Sequence, residues 1–91
     1  MVDMREIKEV IVRDYYNKCF NWAIGRELLW TKYIRQGNSG KWKVVYSHLD
    51  IEEEVDTKRV KKEIERAKRI WYWEVAVITN DGKEVIIKKA T

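Results

Sequence analysis

Residues 70–79 have the sequence Ile-Trp-Tyr-Trp-Glu-Val-Ala-Val-Ile-Thr, the longest run dense in aromatic and β-branched residues in the chain. These residue types pack well on a pleated, half-buried surface, so the run predicts a strand. Alternate positions place a mostly apolar set on each face, which is typical of a strand covered on both sides. One of these sets comprises Trp71, Trp73, Val75 and Val77. Asn80-Asp81-Gly82 then predicts a turn, and residues 83–89 predict a returning strand.

The N-terminal third has apolar residues at helical spacing. At about 100° per residue, the apolar side chains of residues 3–24 fall within one broad arc, which predicts a helix. The periodicity resumes over residues 26–35, and Gly25 is the expected break because glycine is disfavoured inside helices. Without that break the helix would be about 50 Å long, and one end would project into a partner subunit. A competing interpretation makes Glu6–Arg13 a strand, since this segment is short and rich in β-branched residues.

The middle of the chain contains a loop, a short strand and an acidic segment. Gly37-Asn38-Ser39-Gly40 predicts the loop, and the alternation after it predicts a strand over residues 41–47. Residues 50–56 carry five carboxylates and no Lys or Arg, and we expect them to form one helical turn. The chain as a whole predicts a single α+β domain, residues 1–91, with N-terminal helices, a three-stranded antiparallel sheet and one basic helix.

The basic helix is predicted over Thr57–Arg69, with Asp56 or Thr57 as its N-cap. This segment contains seven basic and two acidic residues. Its apolar core stripe comprises Val60, Ile64 and Ala67, and we expect Trp71 to extend it. Four cations lie within about 80° of one another on the side opposite that stripe, by the 3.6-residue repeat. They are Lys58, Lys62, Arg66 and Arg69, and we expect them to form an outward ridge of positive charge.

A strand, a short helix, a longer basic helix and a hairpin follow one another in the layout of a winged helix-turn-helix. In that layout the longer helix enters the major groove and the hairpin contacts the DNA backbone. By this fold-level analogy we predict a small DNA-binding regulator. The candidate nucleic-acid-binding residues are Lys58, Arg59, Lys61, Lys62, Arg66, Arg69 and Lys83. Binding through phosphate contacts of this kind weakens steeply with salt.

Other interpretations compete with DNA binding. Residues 50–56 carry a charge of −5 and residues 57–69 a charge of +5, so these segments could simply neutralise each other, an arrangement that the helix dipole also favours. The chain would then be a non-enzymatic interaction or structural protein that dimerises through its aromatic N-terminal helices. We expect a homodimer in either case. A weaker hypothesis is base stacking on Trp42 and Trp73, which stand beside cations in predicted strands.

Composition argues against several classes of protein. The single His48 and the single Cys19 provide neither a histidine metal cluster nor a disulfide. No nucleophile motif is present, so we expect no enzyme, no metal site and no cofactor. No apolar run approaches the roughly 20 residues of a membrane span, which favours a cytoplasmic protein. The net charge of +4 permits an acidic partner, and the abundance of Lys, Glu and Arg is typical of proteins from hot environments.

Overall fold

The computed structural model describes residues 3–15 and 29–90, which form one six-stranded antiparallel sheet and one α-helix. A 3-10 turn at Met4–Glu6 precedes the first strand. The elements in chain order are β1 (Ile7–Asp14), β2 (Leu29–Arg35), β3 (Lys41–Tyr46), β4 (Glu53–Asp56), α1 (Thr57–Lys68), β5 (Trp73–Thr79) and β6 (Glu84–Lys88). Strand therefore predominates over helix in the described part of the chain.

The strands lie in the order β4-β3-β2-β1-β5-β6, and each neighbouring pair is antiparallel. β1 is an interior strand, in which Val10 pairs with Tyr33 of β2 on one side and with Val77 of β5 on the other. The helix connects the edge strand β4 to β5, so the chain crosses over β3, β2 and β1. α1 therefore covers one face of the sheet.

The core lies between α1 and this face of the sheet. Its buried side chains are Ile7, Val10, Val12, Tyr33, Trp42, Val44, Val60, Ile64, Ala67, Val75 and Val77. Burying an aliphatic side chain of this kind contributes about 1.5–3 kcal/mol, so apolar contact is the main force that holds α1 on the sheet. Trp42 is fully buried, and its indole Nε1 donates to the hydroxyl of Thr57 at 3.0 Å. This hydrogen bond ties β3 to the first residue of α1.

The opposite face of the sheet combines apolar and charged side chains. Ile11 and Ala76 face each other across β1 and β5, and both are buried. Beside them Arg13 bridges two carboxylates, at 2.5 Å to Glu74 and 2.6 Å to Glu84. β1 and β5 therefore bury apolar residues on both faces, as the two-sided apolar pattern of residues 70–79 predicts.

The predicted N-terminal helices are wrong over residues 7–14 and 29–35, which are strands. The α+β class, the three-stranded sheet and the winged-helix layout are wrong for the same reason: the chain is a mostly-β, six-stranded antiparallel sheet with one helix. The competing interpretation of Glu6–Arg13 as a strand is correct to within one residue at each end. The rest of the predicted helices, including Gly25, falls on residues 16–28, outside the described residues.

The physical reason for the error is that Val10, Ile11 and Val12 are all buried, although consecutive residues of a strand point to opposite faces. The broad apolar arc therefore reflects an interior strand with two covered faces. A helix would need the apolar residues on one side only. Pairing of β1 with both β2 and β5 supplies the burial that decides between the two structures.

The other predicted elements have mixed outcomes. The predicted strands at 41–47, 70–79 and 83–89 and the predicted helix at Thr57–Arg69 are confirmed with shorter limits. The acidic segment forms β4, which pairs with β3, so the expected helical turn is wrong. Trp71 is 48% exposed instead of extending the core stripe. Within the described ranges, no helix is long and apolar enough to cross a membrane.

Candidate nucleic-acid interface

α1 begins and ends where neighbouring groups satisfy its free backbone hydrogen-bonding groups. The carboxylate of Asp56 accepts a hydrogen bond from the backbone N–H of Arg59 at 2.8 Å, so Asp56 is the N-cap. Such a cap is worth about 1 kcal/mol. At the other end the backbone N–H of Arg69 donates to the carbonyl oxygen of Arg66 at 3.1 Å. With its ends fixed and its apolar stripe buried, the helix holds its remaining side chains outward.

The outward face of α1 carries four exposed cations, which we call the cationic ridge: Lys58, Lys62, Arg66 and Arg69. The side chains of Lys58, Lys62 and Arg69 form no ion pair or hydrogen bond with another described residue. Arg66 pairs with Glu63 at 3.3 Å. Like charges at i, i+4 destabilise a helix by a few tenths of a kcal/mol. The ridge therefore opposes helix stability slightly, and an anionic ligand would relieve that repulsion.

The acidic segment leaves the ridge without direct partners. Asp56 caps the helix, Glu52 pairs with Lys43 at 3.4 Å, and Glu53 accepts a hydrogen bond from the hydroxyl of Tyr46 at 3.1 Å. No carboxylate of residues 50–56 forms an ion pair with a ridge cation in the described structure. The −5 and +5 segments lie next to each other in sequence, but they do not neutralise each other through side-chain contacts.

The structure places the other three candidate residues at different distances from the ridge. Arg59 flanks it and pairs with Glu63 at 3.1 Å. Lys61 lies on the other flank of α1, in a groove that Lys68 and β6 also line. Lys83 precedes β6 and lies close to the C-terminal end of β5. The C-terminal end of α1 leads into the opposite end of β5, roughly 20 Å away at the usual strand rise. The fold thus brings together the ridge and Arg59, and places Lys83 away from the end of α1 that carries Arg69.

A cleft of about 390 Å³ opens beside the ridge, between α1 and the neighbouring ends of β2 and β3. The helix side of the cleft carries Arg59, Glu63 and Arg66. Three aromatic side chains from the sheet line it as well, and they are Tyr33, Tyr46 and Trp73. The side chain of Glu63 is only 17% exposed and lies between the two arginines. The cleft therefore contains aromatic surface, two guanidinium groups, a nearly buried carboxylate and two further acidic residues, Asp14 and Glu53.

Burial controls the ionisation of the two tyrosines in the cleft. It raises the pKa of Tyr33 above its ordinary value, and the negative charge of Glu63 raises that pKa further. Burial also raises the pKa of Tyr46, with a second contribution from its hydrogen bond to Glu53. Both phenols therefore stay protonated through the physiological pH range and act there as O–H donors.

Sequence reasoning missed the cleft, because Tyr33 was assigned to a helix and Trp73 to a core or stacking surface. The proposed stacking platform is not formed, since Trp42 is only 1% exposed and Trp73 packs against the core. No local signal joins Tyr33 to Glu63, which are 30 positions apart. Among the residues that the structure describes, no group of three or more His, Cys, Asp or Glu side chains is placed to hold a metal ion.

Comparisons with protein-family models, with curated protein sequences and with solved structures gave no match to this chain.

Proposed function

We propose that this protein binds nucleic acid through the cationic ridge of α1. The observation that supports the proposal is the state of Lys58, Lys62 and Arg69: they are exposed, they share one helix face, and none forms an ion pair with another described residue. A surface of this kind matches the evenly spaced negative charge of a phosphate backbone. The helix stands above the sheet, so a polyanion can approach the ridge from the solvent side.

The ridge is suited to phosphate contact more than to reading a base sequence. Specific recognition of adenine commonly uses Asn or Gln, which the ridge lacks, and of its two arginines, the residue type that reads guanine, Arg66 is already paired with Glu63. Lysine acts as a point charge on a flexible stem, which tolerates many positions of a phosphate. Contacts to phosphate position a protein on nucleic acid but carry little sequence information. We therefore expect binding that depends strongly on salt and weakly on sequence.

The salt dependence follows from the number of free cations. With three cations that each neutralise one phosphate, the slope of log K against log salt concentration is about −2 for a single strand and about −3 for a duplex. Raising KCl from 50 to 200 mM should then weaken binding by about 20- to 40-fold. Fluorescence anisotropy of a labelled 20-nucleotide oligonucleotide measures this slope directly.

The test compares two double variants that remove the same net charge. The ridge variant Lys58→Gln/Lys62→Gln should lose about two thirds of the slope, since each phosphate-contacting cation contributes about one unit. The control variant Lys32→Gln/Lys43→Gln changes two cations of the other sheet face and should keep most of the affinity and the slope. Equal losses in the two variants would mean that net charge alone attracts the nucleic acid. Absence of binding to any oligonucleotide at 50 mM KCl would refute the function itself.

The expected homodimer is a separate matter and remains a prediction. The aromatic N-terminal helices that were to form the dimer surface are not helices in residues 7–14 and 29–35. A mass measurement in solution would establish the oligomeric state independently of nucleic-acid binding.

A further inference from the structure

We propose that the cleft beside α1 takes up one unstacked base of a single-stranded nucleic acid whose phosphates lie on the cationic ridge. This inference rests on the proposed function and adds the form of nucleic acid that the protein prefers. The observations that support it are the continuity of ridge and cleft, two donors without acceptors among the described residues, and a nearly buried carboxylate.

The ridge and the cleft share a side chain. Arg66 belongs to the ridge and also lines the cleft, and Arg59 lines the cleft two turns earlier. The side chains of these arginines are 60–64% exposed, so each can contact a ligand while it keeps its ion pair with Glu63. A chain of phosphates that follows the ridge therefore passes the mouth of the cleft. A base attached to that chain reaches the cleft without a second docking surface.

Two hydrogen-bond donors of the cleft have no acceptor among the described residues: one is buried, and the other is open to the cleft. The indole Nε1 of Trp73 is inaccessible to solvent and makes no hydrogen bond. Tyr33 is only 8% exposed, and its hydroxyl makes no hydrogen bond with any described residue. Buried polar groups nearly always have a partner, and an unpaired one costs about 1–3 kcal/mol. Carbonyl oxygens or ring nitrogens of a base would supply an acceptor to the Tyr33 hydroxyl, and also to the indole Nε1 when binding uncovers it.

The cleft also offers an acceptor for the donor groups of a base. The carboxylate of Glu63 is 17% exposed and lies among the cleft residues. Carboxylates accept hydrogen bonds from exocyclic amino groups of bases. At about 390 Å³ the cleft lies within the roughly 300–1,000 Å³ range of small-ligand sites.

A base in a duplex is stacked and paired, so it could enter the cleft only after being flipped out of the helix at a cost of a few kcal/mol. In a single strand this cost is small, and the base edges are free. The cleft therefore favours single-stranded over double-stranded nucleic acid, although the ridge alone would bind both.

The experiment compares three labelled oligonucleotides at 100 mM KCl: a mixed-sequence single strand of 20 nucleotides, an abasic strand of the same length, and the matching duplex. Wild-type protein should bind the base-bearing strand about tenfold more tightly than the abasic strand, which carries the same phosphates. Trp73→Phe and Tyr33→Phe each remove one donor and keep an aromatic ring, and each should weaken binding of the base-bearing strand by about three- to tenfold. Neither should change binding of the abasic strand. Trp71→Phe, an aromatic substitution outside the cleft, should leave all three affinities unchanged.

The outcomes separate this inference from the proposed function. Equal affinities for the base-bearing and abasic strands, or tighter binding of the duplex, would overturn the cleft as a base site while leaving the ridge in place. Failure of all three oligonucleotides to bind would overturn the ridge as well. If Trp73→Phe proves to unfold the protein, the abasic comparison on the wild type and the Tyr33→Phe variant still decide the matter.

Discussion

Tyr33 belongs to both the core and the cleft, and its replacement by phenylalanine should change how the stability of the protein depends on pH. The variant keeps the aromatic ring, which is 8% exposed and packs in the core between β2 and α1. It removes only the hydroxyl, which has no hydrogen-bond partner among the described residues. At pH 7 the variant should be about as stable as the wild type, because the hydroxyl has no hydrogen bond with a described residue to lose.

The difference in unfolding free energy between Tyr33→Phe and the wild type should grow at alkaline pH. Its sign follows from proton binding. Burial and the charge of Glu63 raise the pKa of Tyr33 in the folded protein, whereas in the unfolded chain its pKa is close to the ordinary value of about 10. Above pH 10 the unfolded chain loses this proton and the folded protein keeps it. The wild type therefore loses stability as pH rises, and the variant lacks this contribution.

The magnitude comes from the unfolded-state ionisation alone, as long as the folded tyrosine stays protonated. The loss is RT ln(1 + 10^(pH − pKa)), about 0.8 kcal/mol at pH 10.5 and about 1.4 kcal/mol at pH 11. Urea unfolding followed by circular dichroism at pH 8, 10.5 and 11 measures the free energy of unfolding for both proteins. Ionisation of the lysines and of Tyr46 also affects stability at these pH values, but it is common to both proteins and cancels in the difference.

Tyr46→Phe is the matched comparison, because it makes the same chemical change in the same cleft. The Tyr46 hydroxyl donates to Glu53 at 3.1 Å, so this variant should lose about 0.5–1.5 kcal/mol at pH 7. Tyr33→Phe should not. A difference between wild type and Tyr33→Phe that stays constant from pH 8 to pH 11 would show that Tyr33 ionises equally in both states, and the buried-phenol account would fail.

Two further predictions concern the elements that position the ridge. Asp56→Ala removes the N-cap of α1 and should cost about 1 kcal/mol of unfolding free energy in urea melts. The control Glu54→Ala on the same strand should cost much less. Equal losses in the two variants would contradict the cap assignment. Lys88 donates from its Nζ to the carbonyl oxygens of Ile70 and, at 2.7 Å, of Trp73, so Lys88→Met should cost about 1–3 kcal/mol. The neighbouring Lys89→Met, at an exposed position, should be nearly neutral, and a thermal melt that ranked the two lysines equally would refute this role.

Local sequence patterns were sufficient for the elements that are stabilised by near neighbours. The cap at Asp56 and the spacing of Val60, Ile64 and Ala67 lie within one segment, and they predict α1 to within a residue. The alternation of residues 70–79 likewise predicts β5, which begins three residues later than expected. The glycine in the following turn has a φ of 88°, which favours that residue type. The outward direction of the ridge follows from the same periodicity once the apolar stripe is buried.

The N-terminal strands show where local pattern fails. A run of consecutive apolar residues such as Val10-Ile11-Val12 suits a strand buried on both faces or a broad helical stripe, and periodicity alone cannot separate them. This segment forms a strand because β2 and β5, which lie farther along the chain, pair with β1 on its two sides. The winged-helix analogy depended on the wrong choice.

The amino-acid sequence by itself determined a basic helix with one apolar and one cationic face, followed by a strand and a hairpin, because these features depend on neighbours within about one helical turn or along one strand. Only the tertiary structure decided that the helix lies on a six-stranded sheet, that the acidic segment is an edge strand, and that Tyr33, Glu63 and Trp73 meet in one cleft. Those arrangements depend on strand pairing across long stretches of chain, and their free energy is gained only when the whole sheet is assembled.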